Sequence, residues 1–483
     1  MNTDISPFSL DAWSLHSQFR SVRVLVQHGM LRSLILATAL AGLVGPAAQA
    51  EITFTNLVLF TGNNGPCLGS SPRGLVLGPD GNFYGTTAAG GITNELCVGN
   101  GTVFRITPSG TFTSLHTFGL YDNETPPIGE LAVGPDGSLY GTTGPGGALG
   151  GGAVLRITLE GAVTTLASFD WTNGWSPSAA LVLGKDGNFY STTQTGGPNG
   201  HGTVFRVTPA GSLTTLYSFS GPDGDSPQAP LVQGNDLNFY GITVFGGATY
   251  VDATDLGCGT IFKITPDGTL TMLHSFSGGS GDVPSPTGLS GLVLGKDGNF
   301  YGVEGGPGFG GVFKMTPDGT ITILHSFNGS DDGGLPMAGL TLGRDGNFYG
   351  TTENTIFEML PDGTLVTLYT PEDHGLVLSP LVQDAAGNFY GTQSGNTASD
   401  GTVFRLGISR TPAEIQSSTQ NHGMFNFTWK ATLGLTYQIQ RNTELSVSNW
   451  TNMGGTILAT NSMMTTSDAV GPDRQRFYRV VLP

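Results

Sequence analysis

Apolar residues along this chain come in short runs of four to eight positions, rich in Val, Ile, Thr, Phe and Tyr and bounded by Gly, Pro or Asp. That is the pattern of β-strands and not of helices. The runs also repeat. The segment DGNFYGTT at Asp80–Thr87 returns six times, placing a tyrosine at Tyr84, Tyr140, Tyr190, Tyr240, Tyr301, Tyr349 and Tyr390. An apolar run of the type LVLG (Leu75–Gly78) precedes it, one of the type GTVFRITP (Gly101–Pro108) follows, and a fourth, GTFTSLHTF (Gly110–Phe118), comes after a tight turn. Each repeat is therefore expected to form four strands, a to d, joined a–b by Gly-x-Asp-Gly and c–d by Thr-Pro-x-Gly.

Four short-linked antiparallel strands cannot bury both apolar faces alone, and radial packing of copies solves this in a β-propeller. Residues 57–408 divide into seven repeats of about 50. The run Ile52–Phe60 reads as a d strand with no a, b or c before it, and the seventh repeat ends after its c run, Gly401–Ile408, without a d strand. The expected fold is all-β: a seven-bladed propeller over residues 51–409, closed by the N-terminal strand. A polar linker at 410–423 and a small β-sandwich at 424–483 complete it, the latter drawn from the runs Met424–Trp429, Thr436–Arg441, Trp450–Met453 and Arg476–Val481.

The repeated DGNFYGTTxxGG and GTVFR(I/V)TPxGxxTxLxSF resemble the tandem GloVer repeat of exported bacterial proteins that join such an array to a C-terminal anchoring or sorting module. The resemblance covers Leu57–Ile408. It implies an extracytoplasmic address and supplies no catalytic residues. The tail resembles fibronectin type III-like modules.

Composition narrows the classes further. Charged residues make up 11% of the chain, glycine supplies 77 of 483 residues, and the formal net charge is −17. Such a chain is too apolar for disorder and repels polyanions, so nucleic acid is excluded as a partner. Leu31–Val44, then Gly45-Pro46 and Ala48-Gln49-Ala50, read as a secretory signal peptide over residues 1–50, with translation starting at Met1 or Met30. The apolar stretch is short of a bilayer span, and no membrane segment is expected in the mature chain.

Three cysteines occur. Cys67 and Cys97 are candidates for a disulfide between two loops of one repeat, which leaves Cys258, although an odd count keeps other pairings open. No zinc spacing, P-loop, HExxH, GxSxG or EF-hand occurs, so no metal, cofactor or catalytic residue is expected.

Strand parity puts the a–b and c–d turns at one end of the array and the b–c and d–a loops at the other. The latter vary in length, from the long loop between Thr243 and Gly259 to a single residue after Thr352. Variable loops on a rigid scaffold form the expected working face. Asp170, Trp171, Asn173 and Trp175 lie in one d–a loop, and Tyr250, Asp252 and Asp255 in the long b–c loop. Aromatic faces beside hydrogen-bonding groups suit a sugar ring or a protein hot spot, and a loop tryptophan equally serves as a plug over a sheet edge.

Recurrent polar positions read as structural. The strand-c base (Arg105, Arg156, Arg206, Lys263, Lys314, Arg405) becomes Glu358 in the sixth repeat, and the turn aspartate is lost at Ala386 in the seventh. His116, His274 and His325 share one d-strand position and read as outer-edge residues. The expected protein is a monomeric, non-catalytic, secreted or surface-attached scaffold for an extracellular glycan or surface protein. The alternative is an enzyme of lactonase or lyase type with its site over the central channel.

Overall fold

A computed structural model describes residues 24–27, 51–62, 68–91, 100–119, 125–251, 257–277, 290–305, 308–330, 332–336, 338–370, 377, 379–396, 399–409, 414–421, 423–431, 436–443, 450–455, 457–459, 461, 463–469 and 475–481. Cys67 and Cys97 lie outside them. Among the described residues every regular element is a β-strand. The chain divides into two compact units, Ile52–Ile408 and a second built from Met1–Glu51 with Ser409–Pro483.

Among the described residues the larger unit contains seven four-stranded antiparallel sheets, and in six of them the sheet order is the chain order a-b-c-d. The third repeat is representative: Val182–Leu183, Phe189–Thr193, Thr203–Val207 and Leu213–Ser218, with Tyr190 opposite Arg206. In the seventh sheet Val382–Gln383, Phe389–Asn396 and Ser399–Ser409 are followed by Glu51–Leu59 as the outer strand. Phe60 N–H donates to the Gly401 carbonyl at 2.9 Å, and the Thr53 hydroxyl reaches the Gly407 carbonyl at 3.5 Å.

Two contacts join each sheet to the next. The first is aromatic. The strand-b tyrosine of one repeat packs on the strand-b phenylalanine of its successor, as in Tyr190–Phe239 (centroids 4.0 Å apart) and Tyr301–Phe348 (4.0 Å). Tyr84 meets Leu139, the residue at that place in the second repeat. The series returns to its start with Tyr390 on Phe83 at 4.0 Å. In the first, third, fourth, fifth and sixth repeats the tyrosine hydroxyl donates to the a–b turn aspartate: Tyr84 to Asp80 and Tyr190 to Asp186 at 2.8 Å, Tyr240 to Asp236 and Tyr301 to Asp297 at 2.9 Å, Tyr349 to Asp345 at 2.7 Å. Burial first, then the neighbouring carboxylate, pushes the phenols of Tyr84 and Tyr190 up to about 12.

The seventh repeat corrects an expectation. Ala386 does occupy the usual aspartate position, but the carboxylate is not missing. Asp384, two residues earlier, accepts the Tyr390 hydroxyl at 3.1 Å and the Asn388 N–H at 2.9 Å. The other repeats carry glycine there, where a Cβ would crowd the tyrosine ring, as at Gly134 (2.2 Å from Tyr140). In the sixth repeat Glu358 is buried and accepts from Asn347 Nδ2 at 2.6 Å and from the Tyr349 hydroxyl at 3.1 Å, so the inverted charge joins the same turn.

The second contact lies at the outer edge. Six c–d ladders carry a bulge at the same place, and the extra residue is a leucine each time: Leu115, Leu166, Leu216, Leu273, Leu324 and Leu368. The carbonyl of each of the first five faces the c–d turn glycine of the following repeat. A Cβ on Gly161 would lie 2.3 Å from Leu115 O, and one on Gly211 2.6 Å from Leu166 O. The same contact pairs Leu57 O of the opening strand with Gly110 of the first repeat, at 3.3 Å. His116, His274 and His325 flank these bulges on strand d, each ring edge-on to the next phenylalanine, and His325 Nε2 pairs with Asp332 at 2.9 Å.

In the smaller unit the sheet Glu414–Asn421, Met424–Lys430, Met463–Ala469 packs on one containing Thr436–Asn442 and Gln475–Val481 through Phe425, Phe427, Trp429, Tyr437, Ile439, Tyr478 and Val480. The expected linker at 410–423 is thus largely a strand. Its Ser- and Thr-rich run pairs with Met424–Lys430 across a turn where Gly423 has φ +79°. Asp468 accepts from Arg441, Arg476 and Tyr478 beside this core. Val24–Gln27, within the segment read as a signal peptide, adds to the Gln475–Val481 edge.

Two glycines with like backbones separate conformation from contact. Gly187 (φ +81°) has open space around its missing Cβ, whereas Gly211 (φ +91°) does not. Gly211→Ala is expected to lower the melting temperature clearly more than Gly187→Ala, whose cost is the left-handed φ alone, about 1 kcal/mol. In the seventh repeat Asp384→Gly is expected to cost about 1–3 kcal/mol by denaturant titration, and Asp384→Gly with Ala386→Asp, which rebuilds the common turn, to recover most of it.

Candidate functional site

The d–a loop of the second repeat starts from a self-capped turn. Asp170 Oδ1 accepts the N–H of Thr172 (2.8 Å) and of Asn173 (3.1 Å) and the Thr172 hydroxyl (2.6 Å). These bonds, led by the Thr172 hydroxyl, hold its carboxyl below the usual range. Asn173 Oδ1 accepts the Asp170 N–H at 3.0 Å. Asp223 and Asp332 do the same for Ser220 and Asn328 in later d–a loops, at 2.8 and 2.9 Å, so Asn173 Oδ1 serves a recurrent turn.

Trp171 and Trp175 project from this turn with ring centroids 6.0 Å apart and planes at 55°. The Trp171 carbonyl accepts Gly197 N–H at 2.8 Å, and Trp175 exchanges both backbone hydrogen bonds with Thr195 (2.7 and 3.1 Å). Both anchors lie on the b–c side of the third repeat. The Trp175 ring passes 3.6 Å from where a Cβ on Gly150 would stand and the Trp171 ring 3.8 Å from that of Gly200, so each indole lies over bare glycine backbone. Trp171 keeps 54% of its surface exposed.

One repeat further on, the same loop positions carry Gly221 and Asp225 in place of the two tryptophans. Tyr250 fills the space that Gly221 leaves: its ring lies 2.5 Å from the position of a Cβ there. It also meets the His201 ring edge-on, centroids 5.6 Å apart at 87°. His201 Nδ1 pairs with Asp225 Oδ2 at 2.8 Å, and Asp225, 8% exposed, takes the Ser226 hydroxyl on Oδ1 at 2.9 Å. His201 follows Gly200, which underlies Trp171, so the Trp175–Trp171 pair and the His201–Tyr250 pair lie on neighbouring loops of consecutive repeats. In the chain Leu149 (54% exposed) precedes Gly150, and Val251 (68%) follows Tyr250.

The sequence places Trp171 and Trp175 in one loop and Tyr250 in another; the structure sets the two indoles against each other and Tyr250 against His201. Asp252 and Asp255 lie outside the described residues. His201 and Asp225 are missing from the sequence reading, yet a signal for them exists. The positions equivalent to His201 in the neighbouring repeats are Gly151 and Gly257, and the one equivalent to Asp225 is Trp175. Both residues are departures from the repeat. Among the described residues no three His, Cys, Asp or Glu side chains converge as metal ligands, and no helix is long and apolar enough to cross a membrane.

Comparison with solved structures finds likeness of fold at low identity. A streptogramin B lyase aligns at 16% identity and TM-score 0.48, covering 74% of this chain and 98% of that one. A gluconolactonase from Xanthomonas campestris, XC5397, aligns at 16% and 0.39, covering 71% and 98%. The extracellular domain of a proposed one-component system from B. thetaiotaomicron, BT4673, aligns at 13% and 0.47, covering 87% of this chain and 54% of that one. No curated protein matches. The model of the Gloeobacter/Verrucomicrobia repeat matches residues 40–184 and 127–355, and the chain, an all-β repeat protein of propeller-like fold, belongs to that family.

Proposed function

We propose that this protein is an exported binding scaffold whose seven sheets close as the blades of one ring. The aromatic pairs Trp175–Trp171 and His201–Tyr250 then bind an extracellular glycan. The single observation that carries the reading is Trp171, a largely exposed indole held by a rigid turn. Leaving such a surface in water is unfavourable unless a ligand covers it, and a pre-ordered ring loses little entropy on binding. Sugar rings present C–H faces that pack on indole and phenol, and hydroxyls that find partners on the imidazole between them.

Two further features support the reading. The polar groups beside these pairs are engaged with one another: Asp170 Oδ1 within its own turn, and Asp225 with both His201 and Ser226. They orient the aromatic groups. The series of strand-b contacts, Tyr–Phe apart from Tyr84 on Leu139 and including Tyr390 on Phe83, supports ring closure by the strand Glu51–Leu59.

On a glycan array the purified exported protein is expected to retain a subset of oligosaccharides. Trp171→Ala is expected to weaken them about tenfold or more, the effect of losing a central aromatic contact. Trp429→Phe, in the core of the smaller unit, serves as the control and leaves affinity unchanged. Undiminished binding by Trp171→Ala refutes the site, and an array on which nothing is retained refutes the glycan. Export has its own test. N-terminal sequencing of the protein recovered outside the cytoplasm is expected to begin at Glu51, and recovery with residues 1–50 intact contradicts a cleaved signal peptide.

A further inference from the structure

The two residues that precede the strand-a leucine are small in five repeats: Ala179-Ala180, Ala229-Pro230, Ser290-Gly291, Ala338-Gly339 and Ser379-Pro380. The first repeat has Arg73-Gly74 and the second Gly129-Glu130, so an arginine and a glutamate each replace one small residue, in adjacent repeats. These segments meet one another along the inner margin of the array. A Cβ on Gly129 would contact the Ser178–Ala180 backbone at 2.8–2.9 Å, one on Gly291 the Pro230 carbonyl at 3.0 Å, and one on Gly339 the Pro380 ring at 3.5 Å. The Glu130 side chain lies over Gly74, its Cγ 2.3 Å from the position of a Cβ there. Arg73 reaches across to the second repeat, where its Nη1 donates to the Ile128 carbonyl at 3.0 Å.

Neither charge is matched. Arg73 Nε is buried without a hydrogen-bond partner, and among the described residues no carboxylate pairs with the guanidinium and no donor with Glu130. Burial lowers the pKa of Arg73 and pushes that of the Glu130 carboxyl up to about 7. A guanidinium taken out of water without a counter-ion is expensive, and a planar anion that accepts two parallel N–H bonds relieves that cost best. A carboxyl that keeps its proton completes such a cradle as an O–H donor. Of the segments packed here, the first repeat contributes the charge of Arg73, and Ser178, Ala179 and Ala180 of the third contribute none.

We propose that Arg73 and Glu130 form a carboxylate-binding site at the inner margin of the first two repeats, for a small organic acid or an acidic sugar. The site is separate from the aromatic pairs and independent of the reading given for them.

Calorimetric titration of the exported protein with sodium acetate and with sodium glucuronate, and with glucose as the neutral control, tests this at pH 6 and pH 8. The acids are expected to bind at pH 6 and glucose not. Affinity is expected to fall about tenfold by pH 8, because ionised Glu130 repels the ligand. Arg73→Met is expected to abolish binding. Glu130→Gln, whose amide still donates, is expected to retain it with the pH dependence gone, and Trp171→Ala to leave it unchanged. Equal affinity for the two acids identifies the bare carboxylate as the ligand, and preference for glucuronate identifies the acidic sugar; both support the site. Absence of acid binding at pH 6, equal binding of glucose, survival of binding in Arg73→Met, or an unaltered pH profile in Glu130→Gln each overturns it. The melting temperature supplies a readout independent of ligand. A carboxyl raised in the folded state stabilises the fold below its unfolded value near 4.5, and that contribution is lost as pH rises through about 7. Glu130→Gln is therefore expected to gain stability over the parent at pH 8 and not at pH 4.5.

Discussion

The structure depends on a stacking rule repeated along the array: the phenol of one sheet packs on the strand-b side chain of the next, a phenylalanine except where Tyr84 meets Leu139. Each tyrosine is almost wholly buried, so its hydroxyl needs a partner inside, and the a–b turn supplies one as a carboxylate. Packing and polar satisfaction are thereby met in one place, where strands a and b turn. The glycine of that turn is bare because the ring lies against it. Such joints explain how a chain with so few charged residues holds together: neighbouring sheets cover one another's faces, and ion pairs are incidental.

Towards the periphery a different device sets the spacing. An extra leucine in strand d pushes its carbonyl outward against the turn of the following repeat, which only a glycine accommodates. With inner and outer contacts both specified by backbone and aromatic groups, and the loops at the far end tied to one another through backbone hydrogen bonds, the side chains of those loops are left to vary. Individuality appears there. Trp171, Trp175 and His201 occupy positions that carry other residues in neighbouring copies, Gly221 and Asp225 in place of the two tryptophans and Gly151 and Gly257 in place of His201, and where one loop lacks its indole, Tyr250 from the next fills the gap.

Period, strand type and the order of strands within a repeat were legible because they follow from alternation, punctuation and recurrence, all local properties. So was the pool of aromatic candidates. The remainder depends on which loops meet. Asp384 looks like an unrelated substitution until its carboxylate is seen on Tyr390, and His201 looks like one polar loop residue among many until Asp225 is found beneath it. Both contacts lie across a turn or between loops, where spacing along the chain carries no information about distance. The strand Glu414–Asn421 was missed for another reason: its Ser, Thr and Gln composition reads as solvated linker, and only pairing with Met424–Lys430 gives it shape.

The outer strand of the last sheet, Glu51–Leu59, comes from the opposite end of the repeat array. Its place is therefore held by proximity rather than by a turn, and a second molecule offers an identical occupant. Within one chain the strand competes at the high effective concentration of a tethered segment, which favours the solitary form in dilute solution. In crowded preparations, or when the strand is prised loose, reciprocal exchange satisfies the same hydrogen bonds between two copies. The seam between the two ends of the array is thus also where strand-swapped dimers would originate.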